Sequence, residues 1–138
     1  MATRVYKNAY LLLNAVDLSA HVASVSITTS KDTPEDTAMG DNSRSYQASG
    51  LRNATIDVEF NSDDAAGAVS ATLWTIYTGS AAVAFQLNPD GSSTGVTNPE
   101  YTGSCILTSD VPLGGSVGDT QTTSASFQVT GDVTRSTT

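Results

Sequence analysis

The sequence predicts a mainly β chain, a β-sandwich or open barrel with one packed α-helix, and three observations predict it. Apolar and polar residues alternate in several separate stretches, the period of a half-buried strand. Ser and Thr make up roughly a quarter of the 138 residues, well above their usual share, and Thr and Val favour strands. Charged residues are only 14%, with Lys7 and Lys31 the two lysines. That is too few to spread Glu and Lys over the exposed faces of long helices. The length fits one domain spanning 1–138, large enough for a core without disulfide or metal staples.

The elements follow in order. Tyr10 to Asn14 is a short apolar run that fits a strand, and Val16-Asp17-Leu18 follows before Ser19 breaks it. From Val22 the pattern alternates, with Ala23, Val25, Ile27 and Thr29 on one face and Ser24, Ser26 and Thr28 on the other. Residues 31–45 are polar and aperiodic, with Pro34 and Gly40, and read as an extended loop of the kind that is usually functional or disordered. Its apolar anchors are Ala38 and Met39, so it is expected to be unordered in the isolated chain. Ser45 to Ser49 extends the next strand or forms its own.

Asn53 to Phe60 is the clearest strand. Ala54, Ile56, Val58 and Phe60 point one way; Asn53, Thr55, Asp57 and Glu59 point the other. A helix is predicted from about Ala65 to Thr78, capped by Asp63 or Asp64 and stopped by Gly79. Val69, Leu73, Ile76 and Tyr77 form its apolar stripe, beside Thr72. Trp74 falls off that stripe; core packing is its ordinary fate and a subunit contact the alternative.

Ala81 to Leu87 is a strand with Val83, Phe85 and Leu87 on one face. Asn88 to Pro99 is a loop, and Tyr101 to Ser109 a strand whose Gly103 implies a close backbone approach. Residues 110–119, with Pro112 and three glycines, read as a turn region. Thr120 to Thr130 alternates cleanly. Ala125, Phe127 and Val129 face one side, and Thr122, Ser124, Ser126, Gln128 and Thr130 the other. Val133 is a candidate continuation, and the polar tail from Thr134 is expected to be mobile.

Composition excludes several function classes. The net charge is −8, which opposes a tight grip on nucleic acid, where Lys and Arg neutralise phosphates, and docking on anionic membranes. One cysteine, Cys105, and one histidine, His21, leave no disulfide framework, zinc cluster or His-pair metal motif. The Leu11–Leu13 run is too short for a signal or membrane span, so synthesis and assembly in the cytoplasm are expected. Asp63-Asp64 reads as a helix cap rather than an acid/base pair. Asn88-Pro89-Asp90-Gly91 lacks the alternating acids of a calcium loop and reads as a turn. His21 lacks a nucleophile signature such as G-x-S-x-G, and Cys105 reads as a core residue. No catalytic residue, metal ligand or cofactor is assigned.

Read in order, several pieces resemble the major tail tube proteins of long-tailed, non-contractile (siphovirus-type) bacteriophages. They are Val16-Asp17-Leu18-Ser19 leading to Ile27, Thr37-Ala38-Met39-Gly40-Asp41, and Gly50-Leu51 before the strand ending at Phe60. Next come Asn98-Pro99-Glu100-Tyr101-Thr102-Gly103 and Pro112-Leu113-Gly114-Gly115-Ser116-Val117-Gly118-Asp119. Last is Phe127-Gln128-Val129-Thr130-Gly131-Asp132-Val133-Thr134-Arg135. The resemblance spans nearly the whole chain and rests on the order and spacing of these pieces.

It implies a virion protein, assembled in the host cytoplasm, that forms hexameric rings stacked into a hollow tube delivering DNA. Sheets of neighbouring subunits would join edge to edge into an inner barrel. The long loop, with Asp32, Glu35, Asp36, Met39, Asp41 and Arg44, would reach the adjacent ring, and the termini would lie near ring contacts. Implied partners are other copies of itself, the tape measure, tail terminator and distal tail proteins, and DNA in transit. Asp57, Glu59, Thr122, Ser124, Ser126 and Gln128 are the expected lumen-facing residues, since carboxylates repel phosphates and hydroxyls hold water. The same pieces also fit a tail terminator or the tube of a contractile tail. The alternative is a non-catalytic β-sandwich binding or virion decoration module. Such a module would usually expose Tyr or Trp on its loops, and the 89–99 loop has neither, though Tyr101 borders it.

Overall fold

The structure, a computed structural model, describes residues 9–62, 69–91 and 94–137. The elements in chain order are β1 (Tyr10–Leu13), β2 (Val16–Asp17), a short 3-10 turn (Ser19–His21), β3 (Val22–Lys31) and β4 (Arg52–Asn61). They continue with α1 (Val69–Thr78), β5 (Val83–Asn88), β6 (Glu100–Gly114) and β7 (Thr122–Ser136). The architecture is the expected one, mainly β with one packed helix. It takes the form of one antiparallel sheet, ordered β2-β1-β5-β6-β7-β4-β3, rather than two stacked sheets. The sheet is rolled. Val25 and Ile27 of β3, at one end of the order, line a pocket with Leu87 of β5 and Tyr101 of β6.

Alternation decides what the roll encloses. Leu11 and Leu13, Ala54, Ile56, Val58 and Phe60, Phe85 and Leu87, Cys105, and Ala125, Phe127 and Val129 form one core with Val69, Leu73 and Ile76 of the helix. Fully burying a side chain of the Leu or Phe class contributes about 1.5–3 kcal/mol, so β4 and β7 hold the fold from the centre of the sheet.

The β1–β2 connection is a two-residue hairpin turn with Asn14 (φ 51°) and Ala15 (φ 63°) both left-handed, the primed geometry that matches strand twist. The Val16–Ser19 piece locks it. Leu18 is buried, its N–H donating to the Leu11 carbonyl at 3.0 Å. Ser19 Oγ accepts from the Leu11 N–H at 2.9 Å and donates to Asp17 Oδ1 at 2.6 Å.

Several sequence expectations are corrected. In β3 the register shifts between Val22 and Ser24, so Val22 stands opposite Phe60 and Ala23 is the exposed bulge residue instead of a member of the apolar face. Strand β6 continues through Pro112 to Gly114 where a turn was expected, because β7 supplies partners as far as Gly114↔Thr122. Tail residues Thr134 to Ser136 are strand, paired with Thr102, Tyr101 and Glu100. On the helix, Tyr77 is 60% and Trp74 54% exposed. Their rings contact each other, centroids 5.2 Å apart, instead of entering the core. The inward face is completed by Thr72. Gly79 does stop the helix, its N–H donating to the carbonyls of Thr75 and Ile76. The cap at Asp63 or Asp64 and the predicted first turn lie outside the described residues.

Gly103 is needed as expected: a Cβ there would stand 3.1 Å from the Phe85 ring and 3.2 Å from the Asp132 carbonyl.

Candidate functional site

The outward face of β3, β4 and β7 forms a polar surface, continued on the far half of β6 by Ser109 between the exposed apolar Ile106 and Val111. Register aligns its side chains in rows across four strands: Ser24–Glu59–Ser124–Val111, Ser26–Asp57–Ser126–Ser109 and Thr28–Thr55–Gln128–Ile106. Thr122 stands between Asn61 and Gly114 at the end of the same sheet. All six residues expected to share a face therefore do so. Asp57 and Glu59 are exposed. Asp57 Oδ1 accepts a 2.8 Å hydrogen bond from Ser126 Oγ, and Gln128 Nε2 donates to Asn53 Oδ1 and to the Ala54 carbonyl at 3.0 Å. The amide and hydroxyl groups tie neighbouring strands together while the carboxylates stay open to water. Sequence reading expected a strand through Ile106 and Ser109 without assigning them to this face, and missed Val111, because Pro112 and the glycines beyond it disguised the end of the strand.

Both borders of this four-stranded surface are open. Among the described residues strand β3 pairs with β4 alone. Strand β6 pairs with β5 only over Tyr101–Cys105, so the outer edge from Ile106 to Gly114 has no partner among the described residues. Two long, bare edges on one sheet are a template for pairing with further chains.

Residues 32–51 leave the sheet as a hydrogen-bonded hairpin excursion, so the expected unordered loop has local structure. The Asp32 N–H donates to the Leu51 carbonyl, Gln47 to Pro34 and Asp36 to Ser45, with Glu35 bridging to Tyr46. Four of its charged side chains, Glu35, Asp36, Asp41 and Arg44, find partners within it. Glu35 accepts from Thr37 and lies 3.8 Å from Arg44, the Gln47 amide donates to Asp36, and Asp41 accepts from the Ala38 N–H at 2.8 Å. Every residue from 31 to 49 is exposed, Met39 at the tip completely. Gly50 lets the chain return to the sheet: a Cβ there would stand 1.8 Å from the Asp32 carbonyl oxygen.

The 89–99 loop is held by amides. Asn98 is buried, its side chain accepting from the Asp90 N–H and donating to the Asp90 carbonyl, both at 3.1 Å. Asn88 donates to Thr94, whose hydroxyl donates to Glu100. Among the described residues no group of three His, Cys, Asp or Glu is arranged to hold a metal. Cys105 is fully buried and burial pushes its thiol up to about 12. No described helix is long and apolar enough to cross a membrane.

This rolled antiparallel sheet with one helix is similar in fold to chains of solved virion and tail structures. It matches a chain of the virion of a native gene transfer agent particle with a TM-score of 0.79 and 17% identity, over 97% of this chain and 99% of that one. It also matches the tail of the empty gene transfer agent particle, computed with C6 symmetry, with a TM-score of 0.78 and 16% identity over 97% and 99% of the two chains. The SPP1 tail tube matches with a TM-score of 0.77 and 12% identity, over 99% of this chain and 80% of that one. At these identities the likeness is one of fold. No protein-family model and no curated protein matches the sequence.

Proposed function

We propose that this chain is a structural, non-catalytic subunit of a phage-type tail tube, assembling into rings that stack into a hollow conduit for DNA. The observation that carries the reading is the four-stranded outer surface, polar over β3, β4 and β7, with an open edge on each side, on a fold shared with tail tubes. Pairing the β3 edge of one subunit with the Ile106–Gly114 edge of the next covers both hazards at once and extends the polar face around a ring. Six subunits, as in the C6 tail, close a barrel. Its inner wall would then be Asp57, Glu59, Thr122, Ser124, Ser126 and Gln128 with their row neighbours. Carboxylates at that wall repel phosphates and hydroxyls hold water, so a sliding duplex meets no cationic trap. The 32–51 hairpin is exposed at the end of the same strands, which supports a role for it in contacting an adjacent ring. Tail-completing proteins and a tape measure inside the growing tube are the partners such a conduit requires, and the virion tail is its location.

Electron microscopy of the purified protein tests this directly. Hollow tubes or rings are expected; a protein that stays monomeric at high concentration would instead be a binding or decoration module. The lumen assignment has its own test. Asp57→Lys with Glu59→Lys should leave tubes intact and slow DNA delivery, and unchanged delivery by that variant would remove those two residues from the lumen.

A further inference from the structure

The inner face of the sheet ends in an unusual pair. Beyond the apolar run, at the end of the strands from which the hairpin leaves, Lys31 and Arg52 stand directly opposite each other on β3 and β4. Like charges in direct cross-strand register are destabilising. Arg52 has partial relief from Asp132 at 3.7 Å, an exposed pair that contributes little; no described carboxylate pairs with Lys31. The two cations border a surface pocket of about 280 Å³, lined also by Thr29, Ala54, Asp132 and Val133. On the neighbouring hairpin, Glu35, Asp36 and Asp41 are engaged with hairpin partners, and no hairpin acid is among the residues lining the pocket.

The opposite end of the strands carries acids and, among the described residues, no Lys or Arg. Register puts Val22, Phe60 and Thr122 together there, with the turn that joins β6 to β7. That turn, closed by the Asp119 N–H donating to the Ser116 carbonyl, presents a fully exposed Val117 and an exposed Asp119. Lys31, Arg44, Arg52 and Arg135, the described Lys and Arg residues, all lie toward the pocket end, where Asp132, Glu100 and the hairpin acids also lie, so the complementarity is local to the Lys31–Arg52 pair. The other end holds Glu59, Asp110 and Asp119. Ten-residue β4 separates the ends by about 30 Å, so the turn cannot reach the pocket of its own chain.

We propose that the Lys31–Arg52 pocket is a docking site for the Val117–Asp119 turn of a second copy stacked head to tail, with Asp119 against the two cations and Val117 against Ala54 and Val133. The contact is heterologous, and repeating it gives an open filament. It rests on the tube reading and supplies an axial contact separate from edge pairing within a ring.

Two variants test it, alone and mixed: Lys31→Glu with Arg52→Glu, and Asp119→Lys. Each alone places like charges at every stacking contact. Each is expected to form rings but at least about tenfold less sedimentable tube than the parent, since like charges then oppose each other at every stacking contact. An equal mixture makes every contact complementary if rings alternate, and tube yield should return. Lys31→Gln with Arg52→Gln, which adds no charge, should lower tube yield and weaken its dependence on salt, guarding against a folding defect in the Glu variant. Normal tubes from each variant alone, or a mixture no better than its parts, would overturn the docking site and leave the tube reading standing. A parent protein that forms neither rings nor tubes would overturn both.

Discussion

Three side chains show how burial and backbone geometry set local chemistry. Cys105 sits in the core with its thiol pushed up to about 12 by burial, so it is held neutral. Iodoacetamide at pH 8 should label it only in denaturant. Because its folded-state value lies above the ordinary 9.0, its contribution to stability is complete below that pH and is lost as pH rises toward 12; thermal melts at increasing alkalinity will show the decline. Asp110 lies on the inner face opposite Ala125, with Oδ1 buried and unpaired, and burial raises its pKa. A carboxyl raised in the folded state prefers to be protonated there, so folding gains stability as pH falls through that value. Asp110→Asn should raise the melting temperature at pH 7 and remove this group's gain on acidification to pH 4. Ala15 holds a left-handed φ of 63° that glycine adopts without Cβ strain. Ala15→Gly should stabilise the chain by about 1 kcal/mol in urea unfolding.

At the scale of elements, position on the sheet decides which segments are rigid. Helix α1 is anchored by Val69, Thr72, Leu73 and Ile76. Leu73→Ala should cost about 2–5 kcal/mol, whereas Trp74→Ser, at an exposed position, should change monomer stability by under about 0.5 kcal/mol. The 32–51 hairpin has backbone bonds but no buried side chain. Hydrogen exchange on the monomer should find modest protection at the amides of Asp32, Asp36 and Gln47 and fast exchange elsewhere in the excursion. The absence of a core contact was legible from the sequence, which offers only Ala38 and Met39 there. The ladder bonds were not, because they join residues nine to nineteen apart that share no side-chain pattern.

At the scale of the molecule, the sheet is a partly finished object. Its centre, β4 and β7, is buried on one face and paired on both edges, while β3 and the far half of β6 each expose an edge. Deuterium exchange should therefore slow across Val22–Lys31 and Ile106–Leu113 when the protein polymerises, with little change in β4 or β7. Equal protection of these edges in monomer and polymer would show that they are not the lateral contacts. The charge of −8 has a comparable division of labour. Asp57 and Glu59 stand open on the outer polar rows, several acids are internally bonded in the hairpin, and Asp119 caps one end. Identical chains of this charge repel each other, so assembly driven by edge pairing should be faster in moderate salt.

The sequence by itself determined which residues of each strand point together, because strand periodicity is local and needs no partner. Hence Asp57 and Glu59, and Thr122 through Gln128, were assigned to their faces correctly, as were most of the core and the stop at Gly79. The tertiary structure decided everything that depends on a neighbour. Pro112 to Gly114 became strand because β7 offered pairing. Ala23 left the apolar face because β4 fixed a bulge, and Tyr77 and Trp74 stayed outside because the helix presents a narrower stripe to the core. Register alone brought Lys31 opposite Arg52 and set Asp119 at the far end of the same strands. A hydrophobic pattern records which way a side chain points; only pairing between distant strands records what stands beside it.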